Sequence, residues 1–100
     1  MSMETRKLLT IVTEAALEPE LVVAIQRLGA HGYTVSDARG KGSRGVRNAT
    51  WSASANVRIE VVCSAATATT IAEELRQRYY ENYAMILFVG EVEVIRPSKF

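Results

Sequence analysis

From Gly40 to Arg47 the chain reads Gly-Lys-Gly-Ser-Arg-Gly-Val-Arg. Closely spaced glycines let main-chain N–H groups approach an anion, and Lys41, Ser43, Arg44 and Arg47 add hydrogen bonds and positive charge. Between Arg39 and Arg47 there are four basic side chains and no carboxylate. The whole chain has 12 Lys and Arg against 11 Asp and Glu, a formal net charge of +1. Set those four aside and eight basic groups face 11 carboxylates, so the remainder stands at −3. Positive charge is therefore concentrated in one glycine-rich segment, and the chemistry it suggests is the binding of phosphate or another small oxyanion. The spacing G-x-x-x-x-G-K-[ST] is absent, which argues against a P-loop nucleotide triphosphatase.

Other reactive side chains are sparse. His31 is the single histidine and Cys63 the single cysteine, too few for a metal site or an internal disulfide. His31 either bonds the last carbonyls of a helix or meets a ligand placed at that helix end. No Ser/His/Asp or Cys/His set can be assembled, so a non-catalytic role is expected. Trp51, in the polar run Asn48–Ser52, is either an anchor for a partner or a ring folded back on its own subunit. Arg58 and Glu60 alternate on one strand, as a surface pair or as the flanks of a ligand. The cluster Tyr79-Tyr80-Glu81-Asn82-Tyr83 reads as packing. With a pI near 7.9 and no stacking aromatics on the strands, nucleic acid is not an expected partner.

The elements that would hold these residues follow from periodicity. Lys7 to Thr13 reads as a strand. Glu18-Pro19-Glu20 starts a helix, proline suiting the first turn and the carboxylates its dipole. Leu21, Ile25 and Leu28 form its apolar face, and Gly29-Ala30-His31-Gly32 closes it. Tyr33-Thr34-Val35 opens a second strand that runs into the basic segment, and Arg39 to Ser54 is too long for a tight hairpin. Asn56 to Cys63 is a third strand, with Val57, Ile59, Val61 and Cys63 on one face and Arg58, Glu60 and Val62 on the other. Ile71, Leu75 and Tyr79 mark a second helix, whose start is open among Thr67, Thr69 and Thr70. Met85 to Ile95 is the last strand. The order β-α-β-β-α-β is the ferredoxin-like plan of the α+β class: a four-stranded antiparallel sheet with both helices on one face. Met85, Leu87, Val89 and Leu8 or Leu9 exceed what two helices can cover. The second sheet face is therefore expected to be apolar and to meet another subunit.

The 100 residues, 48% of them hydrophobic, suit one domain with a small core, which association would help to stabilise. The N-terminus lacks an apolar stretch of signal-peptide length, and no run approaches the roughly 18 apolar residues of a membrane span. A cytoplasmic protein without membrane insertion is expected.

Gly29-Ala30-His31-Gly32-Tyr33-Thr34-Val35, followed by Gly40-Lys41-Gly42-Ser43-Arg44, resembles the core of PII signalling proteins, in which such a run precedes a G-x-G that opens the T-loop. With Lys7-Leu8-Leu9-Thr10-Ile11-Val12-Thr13-Glu14 at the start, the chain is most similar to the PII-like branch of inorganic-carbon metabolism. That branch comprises the regulator of the sodium-dependent bicarbonate transporter and the carboxysome-associated PII-like protein. The resemblance spans nearly the whole chain. It implies one PII-like domain over residues 1–100, a flexible T-loop at about 40–55, and a homotrimer with ligand clefts between subunits.

It also implies AMP or ADP as ligands, with ATP or cyclic AMP as further candidates and bicarbonate as a second ligand. A bicarbonate transporter or a carboxysome-related protein would be the partner. On matching positions, Lys41, Ser43, Arg44 and Arg47 would hold phosphates or a small oxyanion, with Gly40 and Gly42 admitting the backbone. His31 would lie near the adenine, Phe88, Val89 and Gly90 would offer strand backbone beside the base, and Arg58 and Glu60 would line the neighbouring strand. Trp51 would contact the partner.

Three departures qualify this pattern. PII proteins that handle ATP and 2-oxoglutarate carry a glycine-rich loop after the second helix; here Glu81-Asn82-Tyr83-Ala84 has no glycine, which favours AMP or ADP. The T-loop lacks the tyrosine that some members modify. The C-terminal cysteine pair of some transporter regulators is also missing. A CutA-like structural or metal-tolerance trimer, without nucleotide response, is the alternative within the fold.

Overall fold

The computed structural model describes residues 2–40 and 55–100. The elements are β1 (Glu4–Glu14), a 3-10 turn (Ala15–Leu17), α1 (Glu18–Arg27), β2 (Thr34–Ala38), β3 (Asn56–Cys63), α2 (Ala65–Tyr79), β4 (Met85–Val94) and a closing 3-10 turn (Pro97–Lys99). The strands form one sheet in the order β2-β3-β1-β4, with every neighbouring pair antiparallel. This is the expected βαββαβ plan. The first strand begins three residues earlier than its apolar run suggests, because Glu4 to Arg6 pair with Val94 to Val92.

Local sequence explains where the helices stop and start. At the end of α1 the Ala30 N–H donates to the Ile25 carbonyl (3.0 Å) and the Gly29 N–H to the Gln26 carbonyl (3.2 Å). That is a Schellman closure, and it requires a left-handed residue. Gly29 supplies it with φ of 115°. A Cβ there would meet Thr67 at ordinary contact distances of 3.5 and 3.7 Å, so only backbone strain opposes a side chain. Gly29→Ala is expected to destabilise by about 1 kcal/mol, measurable by urea titration; a loss near zero would show that this closure does not hold the helix end. At the start of α2 the Ser64 hydroxyl accepts from the Thr67 N–H at 3.1 Å. The cap is thus Ser64, ahead of the threonines.

Register decides which side chains face the helices. Lys7, Leu9, Ile11 and Thr13 of β1 lie opposite Cys63, Val61, Ile59 and Val57 of β3, and opposite Glu91, Val89, Leu87 and Met85 of β4. Leu9, Ile11, Ile59 and Val61 are fully buried there against Leu21 and Ile25 of α1 and Ile71 and Leu75 of α2. The helices are also tied to each other: the Tyr79 hydroxyl donates to the Glu20 carboxylate at 2.6 Å, and Arg27 and Arg78 both bond Glu74. Burial, together with the Glu20 hydrogen bond, pushes the Tyr79 phenol up to about 12.

Met85, Leu87 and Val89 therefore belong to the helix side, not to the second face. That face is apolar as expected, but its residues are Leu8, Val12, Val62, Ile86, Phe88 and Val92, all set in the alternate register. Ile86 and Phe88 are 56% and 49% exposed.

Candidate functional site

The open face carries an ordered pattern of rows. Thr34, Glu60, Thr10 and Phe88 lie side by side across all four strands, and Ser36, Arg58, Val12 and Ile86 form the next row. Arg58 and Glu60 are two residues apart on the same face of β3 and pair at 3.4 Å. Both are partly exposed, so the pair stabilises little in water and remains available to a ligand. Thr10 is fully buried, and its hydroxyl has no hydrogen-bond partner among the described residues.

An open cavity of about 340 Å³ lies on this face at the β2 side. Its floor is Leu8, Glu60 and Val62. One wall is the entry to β2, Gly32-Tyr33-Thr34, and the other is the end of the chain, Lys99 and Phe100. The last turn, Pro97–Lys99, folds back from β4 to reach it. Two aromatic rings, two aliphatic side chains, one side-chain carboxylate, two hydroxyls (Tyr33 and Thr34) and one ammonium make a surface suited to a flat heteroaromatic group with polar edges and an anionic extension.

Of the residues singled out in the sequence, Glu60 lines this cavity directly. His31 is exposed in the α1–β2 connection, next in sequence to the cavity residue Gly32. Arg58 neighbours Glu60. Gly40 is exposed two residues beyond the end of β2. Lys41, Gly42, Ser43, Arg44, Arg47 and Trp51 lie outside the described residues.

Phe88, Val89 and Gly90 are on β4, the far edge of the sheet. None of the three lines the cavity, although Gly90 lies opposite its floor residue Leu8. Their main chains are also not equivalent. The Leu87 N–H donates to the Tyr80 hydroxyl (3.1 Å) and therefore points away from β1. Because main-chain direction alternates along a strand, Val89 turns its N–H and C=O to the free edge, whereas Phe88 and Gly90 use theirs in the ladder with β1. Phe88 contributes a ring to the open face instead.

The reading of the sequence missed Tyr33, Thr34, Lys99 and Phe100. The available signal was Arg96-Pro97-Ser98-Lys99-Phe100, in which proline can open a turn and two cations sit near the chain end.

The sequence model of the nitrogen regulatory protein P-II family matches residues 6–99. The chain belongs to this family. It is 43% identical to a protein of Thermus thermophilus named for its likeness to PII signalling proteins, over 100% of this chain and 99% of that one, with a TM-score of 0.85. It is 26% identical to CPII, a nitrogen regulatory PII-like protein from Thiomonas intermedia K12 bound to ADP, AMP and bicarbonate, over 99% and 96% of the two chains, with a TM-score of 0.84. The GlnK–ATP complex of B. subtilis shares the fold at 21% identity and a TM-score of 0.66, over 88% and 82% of the chains. The chain is thus a PII-like regulator with the expected sheet and helices. No helix among the described residues is long and apolar enough to cross a membrane.

Proposed function

We propose that the chain is a non-catalytic sensor that binds AMP or ADP, and bicarbonate, in clefts between the subunits of a homotrimer. One observation carries this reading: the described candidate residues do not converge on one site within a single chain, since the cavity is lined from β1, β3, the entry to β2 and the last turn, whereas alternate main-chain groups of β4 face its outer edge. Glu60, Arg58 and the cavity beside His31 are at the β2 side, and the free main chain of Val89 is on β4. Head-to-tail contact between copies, β2 side against β4 edge, joins them, and such contacts close into rings. The apolar open face would be covered in the same step. CPII, which binds ADP, AMP and bicarbonate, supports the choice of ligands.

The basic segment Lys41–Arg47 would neutralise the phosphates, and ligand binding would order the loop that includes Trp51 for docking on a partner. Coupling of this kind is typically worth about 1–3 kcal/mol. A protein of inorganic-carbon uptake or of the carboxysome would be that partner. If the segment holds phosphate, Arg47→Ala lowers ADP affinity roughly ten-fold or more, as removal of a charge-assisted bond does; an unchanged affinity would remove Arg47 from the site.

Isothermal titration calorimetry with AMP, ADP, ATP and cyclic AMP, each with and without bicarbonate, tests the whole reading. Saturable binding with one site per chain is expected, strengthened by bicarbonate. A trimer that gives no heat with any of them would be a structural assembly of the CutA kind.

A further inference from the structure

Two rings line the cavity on the open sheet face, and neither belongs to the hydrophobic core. Tyr33 immediately precedes β2 and is 41% exposed; Phe100 follows the closing turn and is 37% exposed. Among the described residues the paired rings are Tyr79 and Tyr83 alone, so Tyr33 and Phe100 share one cavity without stacking on each other. Leu8 and Val62 give that cavity an aliphatic floor. Rings that keep more than a third of their surface open at a concave site offer unfilled contact area. A flat group laid against them would take that area out of water.

Phe100 reaches the cavity through a turn built from its own short segment. Pro97 begins the turn, its fixed φ suiting a first helical position. The Lys99 N–H donates to the Arg96 carbonyl (3.0 Å) and the Phe100 N–H to the Pro97 carbonyl (3.1 Å). Among the described residues, no side-chain hydrogen bond or ion pair ties Pro97–Phe100 to the sheet. The turn therefore meets the cavity through nonpolar contact, and the Phe100 side chain can be altered without disturbing the packing of β1–β4.

We propose that Phe100 is a base-stacking residue of the cleft, so that the closing turn sets how tightly the site holds the base of its nucleotide. An aromatic ring offers a π-face to the π-face of a base, and it excludes water from one side of it. The contribution falls on the base and not on the phosphates, so it is the same for a mono- and a diphosphate. This rests on the reading of the cleft as an adenine-nucleotide site.

The test is calorimetric titration of AMP and ADP into the wild type, Phe100→Ala, Phe100→Leu and Phe100→Tyr, with sedimentation velocity on the same samples. Phe100→Ala should weaken both ligands about ten-fold, the scale of one base–aromatic stack. Phe100→Leu, which keeps an apolar side chain but no ring, should lose most of that affinity. Phe100→Tyr should bind within about two-fold of the wild type. The ADP-to-AMP affinity ratio should stay constant throughout, and assembly should be unchanged. Affinities unaltered in Phe100→Ala, or Phe100→Leu binding as tightly as Phe100→Tyr, would overturn the stacking role and leave the nucleotide reading standing. A loss confined to ADP would also overturn it, by making the turn a phosphate contact, as would a loss that tracks the dissociation of subunits. A wild type that binds neither nucleotide would overturn both.

Discussion

Phe88→Asp is expected to leave the protein as folded monomers and to abolish measurable ADP binding. The ring is half exposed in the single chain and lies in the row with Thr10 and Glu60. An aspartate there is well hydrated in an isolated subunit, so the fold should survive. In an assembly that covers the open face it would be an unpaired buried charge, whose desolvation costs several kcal/mol per ion, and a trimer would contain three of them. On the proposed function each chain holds only half of the site, so nucleotide binding should fall with assembly. Sedimentation velocity measures the first effect and calorimetry the second. Trimers that persist in the Phe88→Asp variant would mean that the open face is not the contact surface. Monomers that still bind ADP normally would mean that the cavity at β2 is sufficient by itself.

The other large effect concerns the helix side. Ile59 is fully buried in β3, between Ile11 of β1 and Val35 of β2. Truncation of such a residue loses transfer free energy and leaves a cavity that the neighbours fill only in part. Ile59→Ala should destabilise by about 2–5 kcal/mol, a large share of the roughly 5–15 kcal/mol typical of a small domain. The midpoint of thermal unfolding should fall by roughly 10 °C or more. Because subunit contacts add apparent stability, the comparison belongs at matched protein concentration. A fall of only a degree or two would indicate that β3 packs less closely than the structure shows.

Where the sequence was legible, one face of an element was apolar and the other was not. Val57, Ile59, Val61 and Cys63 alternate with Arg58 and Glu60, and all four are buried. Leu21 and Ile25, and Ile71, Leu75 and Tyr79, repeat at helical spacing and are buried as well. β4 lacked that contrast: Ile86 and Phe88 stand on one side, Met85 and Leu87 on the other. Only its register with β1 decides which set faces the helices. The cap of α2 was obscured by a surplus of hydroxyls, Ser64, Thr67, Thr69 and Thr70 all lying within one region. In the candidate site, the glycine-rich basic segment and Glu60 were visible as chemistry. The cavity walls were not, because Lys99 and Phe100 arrive through a five-residue tail too short to carry any period.

The hydroxyl of Tyr80 on the Leu87 N–H has a consequence for the life of the chain before assembly. A newly made subunit carries a ten-residue edge strand, β4, whose outward main chain is a template for any extended segment that meets it. Covering the donor of Leu87 shortens that template at the end where the strand is most apolar. The acidic Glu91 and Glu93 guard the other end by making a stacked copy electrostatically unfavourable. The stretch left open is centred on Val89, which the proposed trimer would itself occupy. That edge is open to stacking only in the unassembled subunit, and closure of the proposed ring would remove it.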